Sequence, residues 1–230
     1  MPKKNVERRS YNFEIRAEQD DVKGSIITGR PIVYNSKTDL GWFDEIIEAG
    51  ALDQTDLTDV RFLVNHDTKM IPLARSRRNN GNSTMQMSVD NLGLNLDYVS
   101  LDTENNATSR ALYSAVDRGD LSGMSFMFTI DGERWENLET DHPTRYVTKI
   151  GSVFEVSAVT WPAYEASEIN ARSKEALDNA RSALERARQQ SEQPVDTDLE
   201  LEKEKLRLRR SLDHAKRIFN QEISKTQKES

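Results

Sequence analysis

Three residues that lie far apart in the sequence supply the side chains that acyl transfer requires. His66 can serve as a general base, Ser125 as a nucleophile, and Glu155 as the acid that orients the imidazole. Each lies in a segment that alternates apolar and polar residues or runs apolar, a pattern typical of a β-strand. Because strands of one sheet hold their side chains rigidly, such distant residues can meet there. The sequence therefore predicts a serine hydrolase.

The neighbours of each residue favour these roles without establishing them. His66 ends an apolar strand and precedes a loop, so its imidazole would be held firmly and still meet solvent. Ser125 follows Gly123, which would let a substrate backbone approach closely. Glu155 lies among apolar residues, where an unpaired carboxylate is costly, and a histidine N–H would satisfy it. Taken alone, each residue is equally compatible with a structural role.

Other residues compete for the same roles. Ser122 is a nearby serine, but it fits the turn that follows Asp120. His142 could be the third member, although its place before Pro143 in a polar loop offers weaker support than a strand. Arg75 could stabilise an oxyanion, but a salt bridge explains an arginine there equally well. The sequence does not identify the donors of an oxyanion hole.

Composition excludes several classes of protein. The 230 residues allow one domain with an extension, and the net charge of −7 lies in the first 164 residues, which disfavours a general nucleic-acid binder. The absence of cysteine excludes thiol catalysis and disulfides. His66, His142 and His214 lack metal-ligand spacing, so we expect no metal and no cofactor. Without a long apolar run or a signal peptide, a soluble cytoplasmic protein is expected.

The pattern of the first 164 residues predicts a mixed, mainly β fold. One helix is expected at 106–118, capped by Thr103 or Asn105, and a short helix or turn at 50–53. Residues 131–146 read as a hairpin or loop. Six or more strands with few helices favour an antiparallel barrel or a tightly curved sheet. The predicted strands cover residues 11–15, 25–34, 42–47, 62–66, 85–89, 92–101, 123–130 and 150–160.

Three regions are expected along the chain. Residues 1–10 form a basic, flexible N-terminus, residues 11–164 form the domain, and residues 165–230 form a helical tail with a break near 189–196. Beyond the break, Thr197 and Glu200 make a capping box. A narrow apolar seam then predicts a coiled coil, formed by Leu201, Leu208, Leu212, Ala215 and Phe219. The alternative is one more helix packed on the barrel.

Four segments, in order, resemble the prohead proteases of tailed bacteriophages over roughly residues 10 to 170. They are Asn65-His66-Asp67, Pro72-Leu73-Ala74-Arg75, Ser122 to Phe128, and Phe154 to Tyr164. The resemblance implies a serine endopeptidase of capsid maturation, distantly similar in fold to the herpesvirus assembly protease. That fold is a curved antiparallel β-barrel of six or more strands ringed by a few helices. It assigns His66, Ser125 and Glu155 as the catalytic residues. Herpesvirus enzymes use a second histidine where this sequence has Glu155.

The resemblance also implies partners and a place of action. The substrate would be the major capsid protein or a scaffold polypeptide, cleaved in the host cytoplasm by an enzyme packaged inside the prohead. We expect self-cleavage and a homo-oligomer, such as a dimer. We expect no nucleic-acid partner and no membrane partner. The leading alternative is a non-enzymatic scaffold or capsid assembly protein. A small-molecule esterase or amidase is disfavoured, because the Gly-x-Ser-x-Gly elbow is missing.

Overall fold

The computed structural model describes residues 6–11, 15–160 and 174–192. The chain divides into two compact units, residues 1–187 and 188–230, and only the end of the last helix represents the second. The predicted boundary near residue 164 and the predicted coiled-coil seam from Leu201 to Phe219 lie outside the described residues.

The described residues form eleven strands and two helices. In chain order they are β1 (Val6–Tyr11), β2 (Ile15–Asp20), β3 (Gly24–Val33), β4 (Lys37–Asp39), β5 (Asp44–Ile47), β6 (Asp59–Val64), β7 (Ala74–Arg77), β8 (Met85–Asp90), β9 (Gly93–Ser100), α1 (Ala107–Asp117), β10 (Gly123–Glu136), β11 (Thr144–Val159) and α2 (Lys174–Glu192). The prediction of a mainly β fold with at least six strands is confirmed. The segment at 50–53 forms turns, and the segment at 131–146 extends β10 and β11 into one long hairpin.

The strands form two sheets, and neither closes into a barrel within the described ranges. The seven-stranded sheet has the order β1-β10-β11-β5-β4, with β6 paired to β11 and β7, and the four-stranded sheet has the order β2-β3-β9-β8. The expectation of a closed, antiparallel barrel is therefore wrong. Strand β11 is sixteen residues long and pairs parallel with both β5 and β6. Local patterns cannot reveal this, because strand direction depends on long crossover connections.

The hydrophobic core lies on one face of the β10–β11 hairpin. Phe126 pairs with Val156, which in turn pairs with Phe62 on β6, and all three side chains are fully buried. Burying each such side chain stabilises the fold by about 1.5–3 kcal/mol. Because side chains alternate along a strand, Ser125, Glu155 and Ser157 occupy the opposite face. The core thus fixes the strands on which these polar residues stand.

Strand β1 corrects the prediction of a flexible N-terminus. Its residues Val6–Tyr11 pair antiparallel with β10, and the side chain of Arg9 is buried. Arg9 donates to both carboxylate oxygens of Glu45 at 2.5 and 2.7 Å, and it also contacts Glu7. Although burial opposes ionisation, Arg9 and then Arg145 hold the pKa of the Glu45 carboxyl below its usual value. The strand was missed because its anchors lie far away in sequence.

Helix α1 confirms the helix predicted at 106–118, but its cap differs from the prediction. The Asn106 side chain accepts hydrogen bonds from the N–H groups of Thr108 and Ser109. Asn105 is one of the two expected caps, but its N–H instead donates a hydrogen bond to the Asp102 carboxylate at 2.9 Å. The choice between neighbouring polar residues is set by this turn, which the sequence pattern does not resolve.

Helix α2 confirms the helical pattern at the start of the tail. It continues to Glu192 and so reaches into the predicted break at 189–196. Leu177 and Ala180 are buried against Leu40 and Phe43, with Trp42 and Trp135 packed around them. This contact agrees with the alternative of a helix packed on the β-domain, at least over this first part of the tail.

Candidate active site

The turn after β6 presents His66. Asn65 and His66 both adopt left-handed backbone conformations, with φ of 51° and 56°. Residues other than glycine rarely adopt this conformation, so the surrounding contacts must hold it. The Asn65 N–H donates to the Ala158 carbonyl at 2.9 Å, and the Asn65 side chain accepts from the Thr160 N–H at 2.9 Å. The turn is therefore tied to the end of β11.

The His66 imidazole binds the Glu155 carboxylate through a short contact between Nδ1 and Oε1. The Glu155 side chain is 4% exposed and that of His66 is 14% exposed, so the pair is shielded while the imidazole still reaches solvent. A carboxylate on Nδ1 fixes the ring and leaves Nε2 as the nitrogen that can exchange a proton. The structure thus brings together two of the three residues that the sequence singled out.

Ser157 joins the two residues of this pair. Its fully buried hydroxyl donates to Glu155 Oε2 at 2.5 Å and accepts the His66 N–H at 3.1 Å. One side chain thereby fixes both the carboxylate and the turn that carries the imidazole. The sequence showed only that Ser157 shares a strand face with Glu155. The spacing of two residues on a strand was the available signal, but it does not reveal the bond to the His66 backbone.

Ser125 stands beside this cluster. It lies directly opposite Ser157 in the β10–β11 register, and Cβ atoms of opposed residues are about 4.5–5.5 Å apart. Its hydroxyl donates to the Arg9 carbonyl at 2.7 Å and accepts from the Ser10 hydroxyl at 2.8 Å. Within the described part of the chain, no hydrogen bond joins Ser125 to His66. Ser125 therefore lies on the same face of the sheet as Glu155 and Ser157, and its hydroxyl donates to the main chain of β1.

The competing residues are engaged elsewhere. Arg75 forms two hydrogen bonds with the Asp59 carboxylate, at 2.6 and 2.8 Å, which agrees with the salt-bridge interpretation. The hydrogen bond from Arg75 is the main reason why the pKa of the Asp59 carboxyl is lowered. His142 binds the Asp44 carboxylate at 3.1 Å and does not contact His66. Ser122 precedes the first residue of β10.

One group of residues has donor atoms close enough for a metal ion. Single ligand atoms of Asp39, Asp44 and His142 lie within 4.8 Å of one another. The Lys37 ammonium already forms an ion pair with Asp44. Burial opposes ionisation of Asp44, but Lys37 and His142 together hold the pKa of its carboxyl below the usual value. The Asp44 carboxylate therefore already has partners within the protein, Lys37 and His142. In the described ranges, no helix is long and apolar enough to span a membrane.

A cavity of about 310 Å³ opens beside Glu155. A bulge in β11 helps to form it: Met127 lies opposite Glu155 and Phe128 opposite Val153, so Phe154 is the extra residue. The cavity can hold a large side chain next to the His66–Glu155 pair. Its lining residues are Arg61, Leu63, Thr68, Met70, Pro72, Met127, Phe154 and Glu155.

Comparison with known families matches the β-domain from the end of β1 onwards. Residues 11–181 match the sequence model described as Caudovirus prohead serine protease. This range covers most of the chain and contains His66, Ser125, Glu155 and Ser157. No curated protein and no solved structure matches the chain.

Proposed function

Because the chain belongs to the Caudovirus prohead serine protease family, we propose that it is the endopeptidase that processes capsid or scaffold precursors, with His66, Ser125 and Glu155 as its catalytic residues. The single observation that supports this assignment is the shielded imidazole–carboxylate pair of His66 and Glu155, in which Glu155 is two residues along β11 from Ser157, the residue directly opposite Ser125. Such a pair on a rigid sheet is the arrangement that activates a serine nucleophile.

His66 acts first as a base and then as an acid. Its Nε2 takes the proton of the Ser125 hydroxyl as Oγ attacks the carbonyl carbon of a peptide bond. The same proton then passes to the leaving amine, the C–N bond breaks, and an acyl-enzyme remains. A water molecule, deprotonated by His66, releases the acyl group and regenerates Ser125. For the first step, the Ser125 hydroxyl turns from the Arg9 carbonyl towards His66.

Glu155 and Ser157 support that proton transfer. The Glu155 carboxylate stabilises the imidazolium that forms during attack, because opposite charges attract strongly in a shielded site. Ser157 keeps the carboxylate aimed at Nδ1 by its hydrogen bond to Oε2. The mainly apolar cavity beside Glu155 then receives a side chain of the substrate.

The proposal extends to partners and location. The substrate is the major capsid protein or a scaffold polypeptide, and the enzyme, assembled as a homo-oligomer, acts inside the prohead after synthesis in the host cytoplasm. Self-cleavage belongs to the same proposal, because an enzyme confined with its substrate at high effective concentration also meets copies of itself. The predicted coiled coil of the tail would hold the enzyme to the growing shell.

A non-enzymatic scaffold or capsid assembly protein is the second reading. The observation that favours it is the state of Ser125, whose buried hydroxyl donates to a main-chain carbonyl of its own chain. On this reading, the β-domain is a docking module and the serine serves only to hold β1.

The deciding experiment is co-expression with the major capsid protein of the same phage. Wild-type protein is expected to shorten the capsid precursor, whereas Ser125→Ala leaves it intact, as judged by gels and intact-mass spectrometry. Ser122→Ala is the matched control, because it removes a hydroxyl from a serine three residues away and should leave cleavage unchanged. Normal cleavage by Ser125→Ala would reject the assignment, and assembly that proceeds without any cleavage would favour the scaffold.

A further inference from the structure

Strand β1 occupies the edge of β10 that lies next to the nucleophile. Its six residues pair antiparallel with β10, and Ser10 lies directly opposite Ser125. Among the strands that the structure describes, β1 is the outermost of the sheet on this side. The edge of a strand offers unpaired main-chain groups to any extended peptide.

The Arg9 carbonyl lies next to the nucleophile. Its oxygen accepts a hydrogen bond from Ser125 Oγ at 2.7 Å, so the main chain of an extended strand at this edge reaches the serine. The hydroxyl, however, donates to this oxygen and not to a base. The arrangement therefore resembles a bound substrate in position but is unproductive in chemistry.

We propose that the edge of β10 held by β1 is the site at which substrate polypeptide binds as an extended strand, and that β1 leaves this site before cleavage. This inference rests on the proposed function. In the state described here, β1 blocks the nucleophile. The substrate strand takes the same antiparallel alignment, because the main chain of β10 sets the register for any occupant.

The surroundings of Arg9 define the chemistry of the substrate. Its guanidinium lies on the core side of the sheet, bound by Glu45, and Glu45 also accepts from Arg145 at 3.3 Å. Arg145 in turn donates to Glu133 at 2.6 Å. When β1 leaves, it removes Arg9 together with Glu7. Glu45 then keeps its contact with Arg145 but loses the two hydrogen bonds from Arg9, so a buried carboxylate is left with one cationic donor instead of two.

Losing the closer of its two cations is unfavourable for a buried carboxylate, so an occupant that supplies a cation in place of Arg9 is favoured at this site. The residue that takes the place of Arg9 is the one whose carbonyl reaches Ser125. The site therefore selects substrates with arginine or lysine immediately before the scissile bond. Glu45 is the residue that determines this preference.

A reversible lock on β1 tests the inference in the full-length chain. Val6 and Thr129 lie directly opposite one another in the register, at a spacing that suits a disulfide, and the natural chain has no cysteine. The double variant Val6→Cys/Thr129→Cys is oxidised to hold β1 on β10, or reduced to release it. The readout is the rate at which a fluorophosphonate labels Ser125, located by peptide mass spectrometry. The controls are wild type and both single variants under the same redox conditions.

Labelling is expected to fall at least tenfold in the oxidised double variant and to recover on reduction, while the controls do not respond. Equal labelling of the oxidised and reduced forms would overturn the inference and leave the proposed function standing. Absence of labelling from every form, wild type included, would reject the proposed function and this inference with it.

A pair of peptides tests the predicted charge preference on wild-type protein. One quenched fluorogenic peptide carries the sequence Val-Glu-Arg-Arg-Ser-Tyr of β1, and the other has methionine in place of the second arginine. Methionine keeps an unbranched apolar stem but lacks the cation. The arginine peptide is expected to be cleaved with a kcat/KM at least tenfold higher, with the cut after the second arginine. Equal rates for the two peptides would overturn the selection by Glu45.

Discussion

Ser157 and Glu155 stand two residues apart on β11, and the hydroxyl of the first donates a 2.5 Å hydrogen bond to the carboxylate of the second. Both face the side of the sheet that carries Ser125, away from the hydrophobic core. Through this bond Ser157 controls the orientation of the Glu155 carboxylate. Through its bond to the His66 N–H, Ser157 also holds the turn that carries the imidazole.

Ser157→Ala should lower kcat by about 10- to 100-fold with little change in KM. The substitution leaves the buried His66 N–H and one carboxylate oxygen without a partner, which costs about 1–3 kcal/mol. Steady-state kinetics over a range of pH checks this, because a misplaced carboxylate also shifts the pH profile, whereas general destabilisation does not. Ser152→Ala, on the same strand but outside the cluster, should behave as wild type. An unchanged kcat for Ser157→Ala would show that Ser157 is not needed to position Glu155 and His66.

Glu155→Gln should lower kcat by at least about 100-fold while the protein stays folded. The amide keeps the shape of the side chain, but it cannot stabilise an imidazolium, and it favours the wrong imidazole tautomer. The corresponding acid-to-amide change in a serine protease triad costs about 10⁴-fold. Single-turnover kinetics measures the loss of activity, and thermal unfolding checks that the variant stays folded. Full activity in this variant would show that a residue other than Glu155 orients the imidazole and stabilises its charged form.

Arg9→Ala should lower the free energy of unfolding by about 3 kcal/mol, because removing one partner of a buried ion pair leaves the other charge uncompensated. Arg8→Ala is the matched control, since Arg8 is exposed on the same strand and its loss should change stability by no more than about 0.5 kcal/mol. Urea denaturation of both variants measures the two changes in the free energy of unfolding. Equal stability of the two variants would show that the buried network does not anchor β1.

Asp90 provides a pH-dependent contribution to stability. Hydrogen bonds from Arg30, and then from the Leu92 N–H, lower the pKa of the Asp90 carboxyl to about 2. Since this value lies below that of the unfolded chain, about 3.9, the contribution is fully present above pH 4 and is lost as the pH falls towards 2. Asp90→Asn should therefore be less stable than wild type at pH 7, with a difference that shrinks towards pH 3.

Urea midpoints measured at several pH values between 7 and 3 test this expectation for Asp90. Asp21→Asn serves as the control and should match wild type throughout, because the Asp21 carboxylate is exposed and accepts no hydrogen bond within the described part of the chain. A difference for Asp90→Asn that is the same at every pH would mean that the charge of the carboxylate does not contribute.

The sequence by itself determined the mainly β character, helix α1, the strands that carry Ser125 and Glu155, and the strand that precedes His66, although His66 itself lies in the turn after that strand and not at its end. These features follow from local periodicity, because alternation of apolar and polar residues reports which face of a strand is buried. The same alternation placed Glu155 and Ser157 on one face. The motifs around these residues were also sufficient to indicate the family that the sequence comparison supports.

Only the tertiary structure decided how the strands pair and what each polar group binds. The parallel pairing of β6 with β11 brings His66 to Glu155 across 89 positions of the chain. The burial of Arg9 in β1 depends on Glu45, which lies 36 positions away. Interactions over such separations leave no periodic signal, because they are set by the packing of whole sheets. The residue types therefore indicate which chemistry is possible, whereas the packing of the sheets determines which of these residues meet.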